Sequence, residues 1–110
     1  MPGFANMPSW DFITNHGAVI ILVSQQPKIT GREISQKIGI TERAVLRIVA
    51  DLDDAGYISR TRQGRSNTYT VNQDLPLPGP ILKNVAVGDL LDVLKTSSFK
   101  VGTEQVVNES

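Results

Sequence analysis

The chain has 110 residues and no cysteine, so it has room for one domain with a modest core and cannot form disulfide bonds or thiolate metal sites. Its formal net charge is zero, which by itself indicates nothing about nucleic acid. The longest apolar run, residues 18–23, is too short to cross a bilayer, and no basic start before an apolar core marks a signal peptide, so we expect a cytoplasmic protein.

The chain is expected to begin with a flexible arm and a first helix. Residues 1–10 contain two prolines and a glycine, a composition typical of a loose arm. A helix is predicted over residues 11–24, with Asp11 or Asn15 as its cap. Periodicity alone fits a buried strand equally well, because the segment is rich in β-branched residues. We favour a helix because the apolar residues extend back to Phe12.

Two short capped helices follow. Thr30 caps the first, Glu33 completes a capping box, and Gly39 suits the left-handed conformation that ends a helix. Thr41 caps the second, which Gly56 closes. One apolar stripe on the second helix consists of Val45, Ile48, Val49 and Leu52. Two capped helices around so short a turn match the helix-turn-helix unit.

A β-hairpin and a C-terminal helix complete the predicted elements. Residues 57–62 and 67–71 alternate and are rich in Tyr, Ile, Thr and Val, with a turn at 63–66. Residues 72–80 hold three prolines and are predicted to be an extended linker. Apolar residues then recur at helical spacing, namely Val87, Leu90, Leu91 and Leu94.

Basic residues are concentrated in the middle of the chain. Residues 28–71 hold eight basic and five acidic residues, a net charge of +3 that the acidic flanks balance. On an ideal helix, Arg43 and Arg47 lie nearly opposite the apolar stripe, where guanidinium groups can reach guanine edges or phosphates in a major groove. Leu46, at the border of that face, can contact a thymine methyl group.

Acidic residues limit how far this helix can enter a groove. Asp51, Asp53 and Asp54 lie at its C-terminal end and would repel phosphate, so only the N-terminal half is expected to enter. The alternative for Arg47 is a solvated ion pair with Asp51, four residues further on.

The hairpin supplies a second basic surface. Arg60, Arg62 and Arg65 lie on or near one short ribbon, which can follow a phosphate backbone or enter a minor groove. An ordinary edge hairpin protected by charge is the alternative. Arg32 and Lys37, on the helix before the recognition segment, are weaker candidates for phosphate contacts.

The run ITGREISQKIGITERAVLRIVADLDDAGYISRTRQGRSNTYTV resembles the winged helix-turn-helix of MarR-like and ArsR-like bacterial and archaeal regulators. The similarity lies in the apolar spacing, the helix end at Ala55-Gly56-Tyr57 and the position of Arg60 at the start of the wing. It implies a homodimer that binds duplex DNA. It also implies a base-reading segment from Thr41 through Glu42 to Arg47. The cysteines of metal-sensing ArsR-like proteins are missing, so no metal is expected.

The predicted fold class is therefore α+β, mainly α, a winged helix-turn-helix with a two-stranded wing and a C-terminal helix. The DNA-binding domain is expected over residues 11–75. Residues 76–96 would form the proline-rich linker and C-terminal helix, and residues 97–110 a polar tail. The apolar stripe of the last helix can pack on the first helix of its own chain or pair with a partner subunit. Dimerisation is favoured, because helix-turn-helix proteins read two half-sites as symmetric dimers.

No active site or cofactor site is predicted. His16 is the sole histidine and is expected to be structural or exposed, and no phosphate-binding glycine loop is present. Asp53 and Asp54 are adjacent and point in different directions, so they do not form an acid–base pair. The favoured function is a sequence-specific, double-stranded DNA-binding transcriptional regulator. A winged-helix protein–protein adaptor is the alternative, and the sequence leaves open whether a small-molecule effector exists.

Overall fold

The computed structural model describes residues 9–96, and in that part of the chain it shows four helices and one two-stranded antiparallel sheet. In chain order these are α1 (Asn15–Gln25), α2 (Gly31–Ile38), α3 (Glu42–Asp54), β1 (Ile58–Gln63), β2 (Ser66–Val71) and α4 (Val87–Thr96). The predicted fold class, α+β and mainly α, is confirmed. The predicted polar tail and most of the predicted arm lie outside the described residues. No described helix is long and apolar enough to cross a membrane.

Helix α1 begins four residues later than predicted. Its N-cap is Thr14, whose hydroxyl accepts a backbone N–H bond from three residues on at 3.1 Å, and not Asp11 or Asn15. Phe12 precedes the helix and is 92% exposed, so it does not extend the buried apolar face as we expected. The helical interpretation itself is confirmed, and residues 19–23 are all buried.

The two helices after α1 are capped as predicted. Thr30 and Glu33 exchange the two hydrogen bonds of a capping box, at 2.9 and 3.1 Å. Gly39 ends α2 with a φ of +84°, a conformation that glycine adopts without steric cost. The Thr41 hydroxyl caps α3 by accepting a backbone N–H bond at 3.0 Å. Because each cap uses residues close in sequence, the short turn between α2 and α3 is specified locally.

The hydrophobic core forms around α1. Residues 19–23 are buried on every side because α2, α3 and β2 pack against this helix. The predicted apolar stripe of α3 is buried as well, and α2 contributes the fully buried Ile34. Each buried Val, Leu or Ile side chain contributes about 1.5–3 kcal/mol relative to its exposed state. The core therefore fixes which face of α3 points outward.

The hairpin is confirmed, with a shorter turn than predicted. The strands pair in register from Ile58–Val71 at the base to Gln63–Ser66 at the tip, which leaves a two-residue turn. Gly64 takes the first position of that turn with a φ of +63°, as short hairpin turns require.

Alternation along the two strands gives the hairpin two different faces. Arg60 and Arg62 lie on the same face as Ile58 and Tyr69, which are buried against the helices. The opposite face carries only hydroxyl and amide side chains, namely Ser59, Thr61, Gln63, Ser66, Thr68 and Thr70. Positive charge is therefore confined to one face and the turn.

The segment after β2 is not the extended linker that its prolines predicted. The Tyr57 hydroxyl donates to the carbonyl of Pro76 at 2.7 Å, and Pro76 forms a β-bridge with Ala86. The backbone N–H of Val87 donates to the carbonyl of Leu75 at 2.8 Å. Proline lacks a donor but its carbonyl still accepts hydrogen bonds, so these partners fold the segment back onto the domain.

Helix α4 packs on its own chain. Val87 and Leu91 are 2% and 3% exposed and belong to the same core as α1, with Leu94 packed against it. Gly88 allows a close approach, because a Cβ atom there would lie 2.9 Å from the Cβ of Gln73. Three of the four residues predicted for dimerisation therefore contact the core of their own chain, Val87 and Leu91 fully and Leu94 in part. Pairing of this helix with a partner subunit stays a prediction.

Candidate nucleic-acid interface

The outward face of α3 carries Arg43, Leu46 and Arg47. All three side chains are exposed, and Leu46 keeps 62% of its surface accessible. None of them makes a hydrogen bond or ion pair with any residue that the structure describes. Two cations and one apolar group therefore lie together on the solvent-facing side of α3, whose opposite side packs into the core.

Arg43 and Arg47 also line one open cleft of about 350 Å³. Ala44 and Ile48 contribute apolar surface to it, and Thr41 also lines it. The spacing of four residues places the two guanidinium groups one helical turn apart. Such a surface suits a ligand that combines negative charge with flat or methyl-bearing groups.

The first turn of α3 has a structural function of its own. The Thr41 hydroxyl is already engaged in capping the helix. Glu42 is exposed in the first turn, where a carboxylate interacts favourably with the helix dipole. Within the predicted base-reading segment, the arginines and Leu46 are therefore the side chains best placed to contact a ligand.

The acidic end of α3 is largely paired with other elements. His16 Nε2 donates to Asp51 Oδ2 at 2.8 Å, which joins the start of α1 to α3. Arg60 donates from Nε to Asp53 Oδ2 at 3.0 Å, and its Nη2 lies 2.9 Å from the same oxygen, an ion pair that joins β1 to α3. The alternative ion pair between Arg47 and Asp51 is not formed in the described chain.

The three hairpin arginines are held differently. Arg60 is bound to Asp53, as described above. Arg62 donates from Nε to the carbonyl oxygen of Gly64 at 3.0 Å, so it braces the turn. Arg65 is exposed in the turn and makes no hydrogen bond or ion pair with the described residues. Arg65 is therefore the hairpin cation best able to reach an external anion.

The α2 candidates lie apart from the α3 pair. Arg32 is exposed, and Lys37 lines a separate cleft beside α1 that also contains Phe12. The backbone N–H of Thr30 donates to the Glu33 carboxylate and holds its pKa below the ordinary value, helped by the Thr30 hydroxyl and by the nearby Lys37. Lys37 therefore lies near enough to Glu33 on the same helix to interact with it electrostatically.

Comparison with known proteins agrees with this geometry. Residues 14–59, from the cap of α1 to the start of β1, match a family described as winged helix-turn-helix DNA-binding. The fold is a winged helix-turn-helix. In these terms α2 and α3 are the helix-turn-helix, α3 is the recognition helix, and the hairpin is the wing. Domains of this family are typically not catalytic.

One relative shares part of the winged helix-turn-helix. The uncharacterized protein MJ1254 of Methanocaldococcus jannaschii is 32% identical over 66 residues, which cover 59% of this chain. The chain spans only 14% of the length of that protein. The matched stretch is too small a share of that protein to indicate what the whole protein does.

Two contacts of this winged helix-turn-helix were not predicted from the sequence. His16 is exposed, in agreement with the expectation for it, and its bond to Asp51 joins residues 35 positions apart, which leaves no local signal. The pairing of Asp53 with Arg60 spans the end of the recognition helix and the start of the wing. An acid in the last turn of a helix, followed seven residues later by an arginine on a strand, is a weak signal that can be recognised only once the turn is known.

Proposed function

We propose that this chain is a sequence-specific, double-stranded DNA-binding transcriptional regulator of the MarR-like or ArsR-like type, acting in the cytoplasm as a homodimer. The observation that carries the proposal is the outward face of the recognition helix, where Arg43, Leu46 and Arg47 are exposed and unpaired within the described chain. The matched winged helix-turn-helix family supports DNA as the ligand.

The N-terminal half of the recognition helix enters the major groove. Arg43 and Arg47 bind guanine edges or phosphates, and a bidentate arginine–guanine contact discriminates against a wrong base by about 1–3 kcal/mol. Leu46 contacts a thymine methyl group. The Thr41 cap keeps this end of the helix in place while Glu42 stays at its margin.

The wing contacts the DNA beside the major groove. Arg65, at the turn, is placed to bind the flanking backbone or to enter the minor groove. Arg62 supports the turn from which Arg65 projects. Arg32 and Lys37 add weaker phosphate contacts from α2.

Homodimerisation allows two recognition helices to read two half-sites about 34–36 Å apart. Because Val87 and Leu91 are buried in the core, the C-terminal stripe contributes to a dimer surface mainly through the half-buried Leu90 and Leu94. The exposed side chain of Val93 on the same helix adds apolar surface.

A salt titration of duplex binding tests the proposal. The native protein should bind, with log affinity falling linearly against log salt because bound phosphates release counterions. The Arg43→Ala/Arg47→Ala variant should bind more weakly, with a slope reduced by about one or two phosphate charges or with loss of sequence preference. The matched control is Lys83→Ala/Lys95→Ala, which removes the same charge from the C-terminal part and should bind like the native protein.

Equal binding by the arginine variant and the native protein would show that this face does not enter the groove. Absence of binding to any duplex at low salt would instead favour the protein–protein adaptor. One observation supports that alternative: Trp10 and Phe12 are 62% and 92% exposed and contact each other edge to face at 5.6 Å, next to the start of α1. Exposed neighbouring aromatic residues are typical of protein interaction surfaces.

A further inference from the structure

The wing is joined to the recognition helix by a single polar contact beyond its base. Arg60 of β1 binds one carboxylate oxygen of Asp53 through two nitrogens, at 2.9 and 3.0 Å. Among the described residues, no hydrogen bond or ion pair joins residues 61–68 to any helix. The Asp53–Arg60 pair is therefore the outermost polar link between the two DNA-facing elements.

We propose that Asp53 is a positioning residue for DNA binding, which holds the wing against the recognition helix through Arg60 so that Arg65 reaches the flanking DNA. This inference rests on the proposed function. It also changes the function expected for Arg60, which the sequence predicted to contact DNA. Because two of its guanidinium nitrogens contact Asp53, Arg60 orients the wing and does not bind phosphate.

The geometry favours a positioning function. Arg60 shares a wing face with the buried Tyr69, so its side chain is directed toward the helices. Arg65 lies five residues further on, and at about 3.4 Å per residue a small rotation at Arg60 is amplified at the turn. Both side chains of the pair are a little over one-third exposed, so the contact is worth little to overall stability but can still set an angle.

A purely electrostatic function of Asp53 predicts the opposite result. An acidic residue near bound DNA repels phosphate, so its removal should tighten binding. Asp54 provides the matched control, because it is the neighbouring acid, carries the same charge, is exposed, and makes no hydrogen bond or ion pair with the described residues. Asp53→Asn and Asp54→Asn therefore remove equal charge, and only the first removes the link to the wing.

The experiment measures duplex affinity and salt dependence for the native protein, Asp53→Asn, Asp54→Asn, Arg65→Ala and Asp53→Asn/Arg65→Ala. Asp53→Asn should weaken binding about threefold to tenfold, the size expected for groups coupled through a contact. Asp54→Asn should bind equally or more tightly. Arg65→Ala should lower the salt slope by about one in the native protein and by less when Asp53 is already replaced.

Tighter binding by both asparagine variants would overturn the proposal. An effect of Arg65→Ala that is the same with and without Asp53 would also overturn it.

Backbone ¹⁵N relaxation of the wing without DNA supplies an independent readout. It should show greater mobility of residues 61–68 in Asp53→Asn than in Asp54→Asn. If the native protein binds no duplex, the proposed function fails. Equal wing mobility in the two variants would overturn the proposed positioning of the wing by Asp53, whether or not the protein binds DNA.

Discussion

Leu46 is the one large aliphatic residue of the recognition helix that the core does not bury. Its neighbours Val45 and Ile48 point inward, so the exposure follows from helical periodicity and not from loose packing. A leucine in this position costs solubility without adding to the core, and the proposed contact with an apolar group on DNA would give it a function.

Replacement of Leu46 by alanine should leave stability nearly unchanged, within about 0.5 kcal/mol, because the side chain is exposed. It should also abolish discrimination between thymine and uracil at one position of the bound site, since uracil lacks the methyl group that Leu46 is proposed to contact. Competition between matched thymine and uracil duplexes measures this. Discrimination that persists in Leu46→Ala would show that another residue reads the methyl group.

At the scale of single elements, the capping box of α2 was predictable because its two hydrogen bonds join residues three apart. The hairpin was predictable for the same reason, since alternation and a glycine turn are local signals. The start of α1 was not. The Thr14 hydroxyl accepts from the backbone N–H of Gly17, although Asp11 and Asn15 also have side chains suited to capping.

The lowered pKa of Glu33 makes the stability of α2 depend on pH. Because the folded-state pKa lies below the unfolded value of about 4.3, the carboxylate stabilises the fold at higher pH. That contribution is lost as the pH falls through the folded value. The unfolding free energies of native protein and Glu33→Gln should therefore differ at pH 7 and converge toward pH 3.

Thr30→Ala supplies the control for this effect. It removes the hydroxyl partner in the capping box, so the added effect of Glu33→Gln should depend less on pH in that background. A constant difference between the native protein and Glu33→Gln from pH 7 to pH 3 would contradict the assignment.

At the scale of the whole molecule, the sequence predicted the element order and the buried stripe of the recognition helix, but not how distant parts meet. The hydrogen bonds that fold residues 72–86 back onto the domain join positions far apart, and prolines in that segment indicated a linker. The side chains of the candidate interface differ in the same way. Exposed arginines follow from helical spacing, whereas the pairing of Asp51 and Asp53 depends on the packing of α1 and the wing.

The position of α4 makes Leu91 a core residue of the monomer. Leu91→Ala should lower the unfolding free energy by about 2–5 kcal/mol, as expected for a truncated buried leucine. Chemical denaturation measures the loss, and sedimentation measures the oligomeric state. The variant Lys95→Ala, at an exposed position of the same helix, should be nearly neutral for stability. A Leu91→Ala protein that dissociates without losing monomer stability would place this side chain in a subunit interface instead.

The two-residue turn and strict pairing of the wing also restrict how its length can change during evolution. Each additional residue pair would move the turn outward by about 3.4 Å and reverse the side to which its residues point. One added pair would therefore turn the tip away from its present direction, whereas two would restore that direction about 7 Å further out. Insertions that keep this turn and this pairing can therefore extend the reach of Arg65 only by two residue pairs at a time. Inserting a single pair would point Arg65 to the other side of the wing.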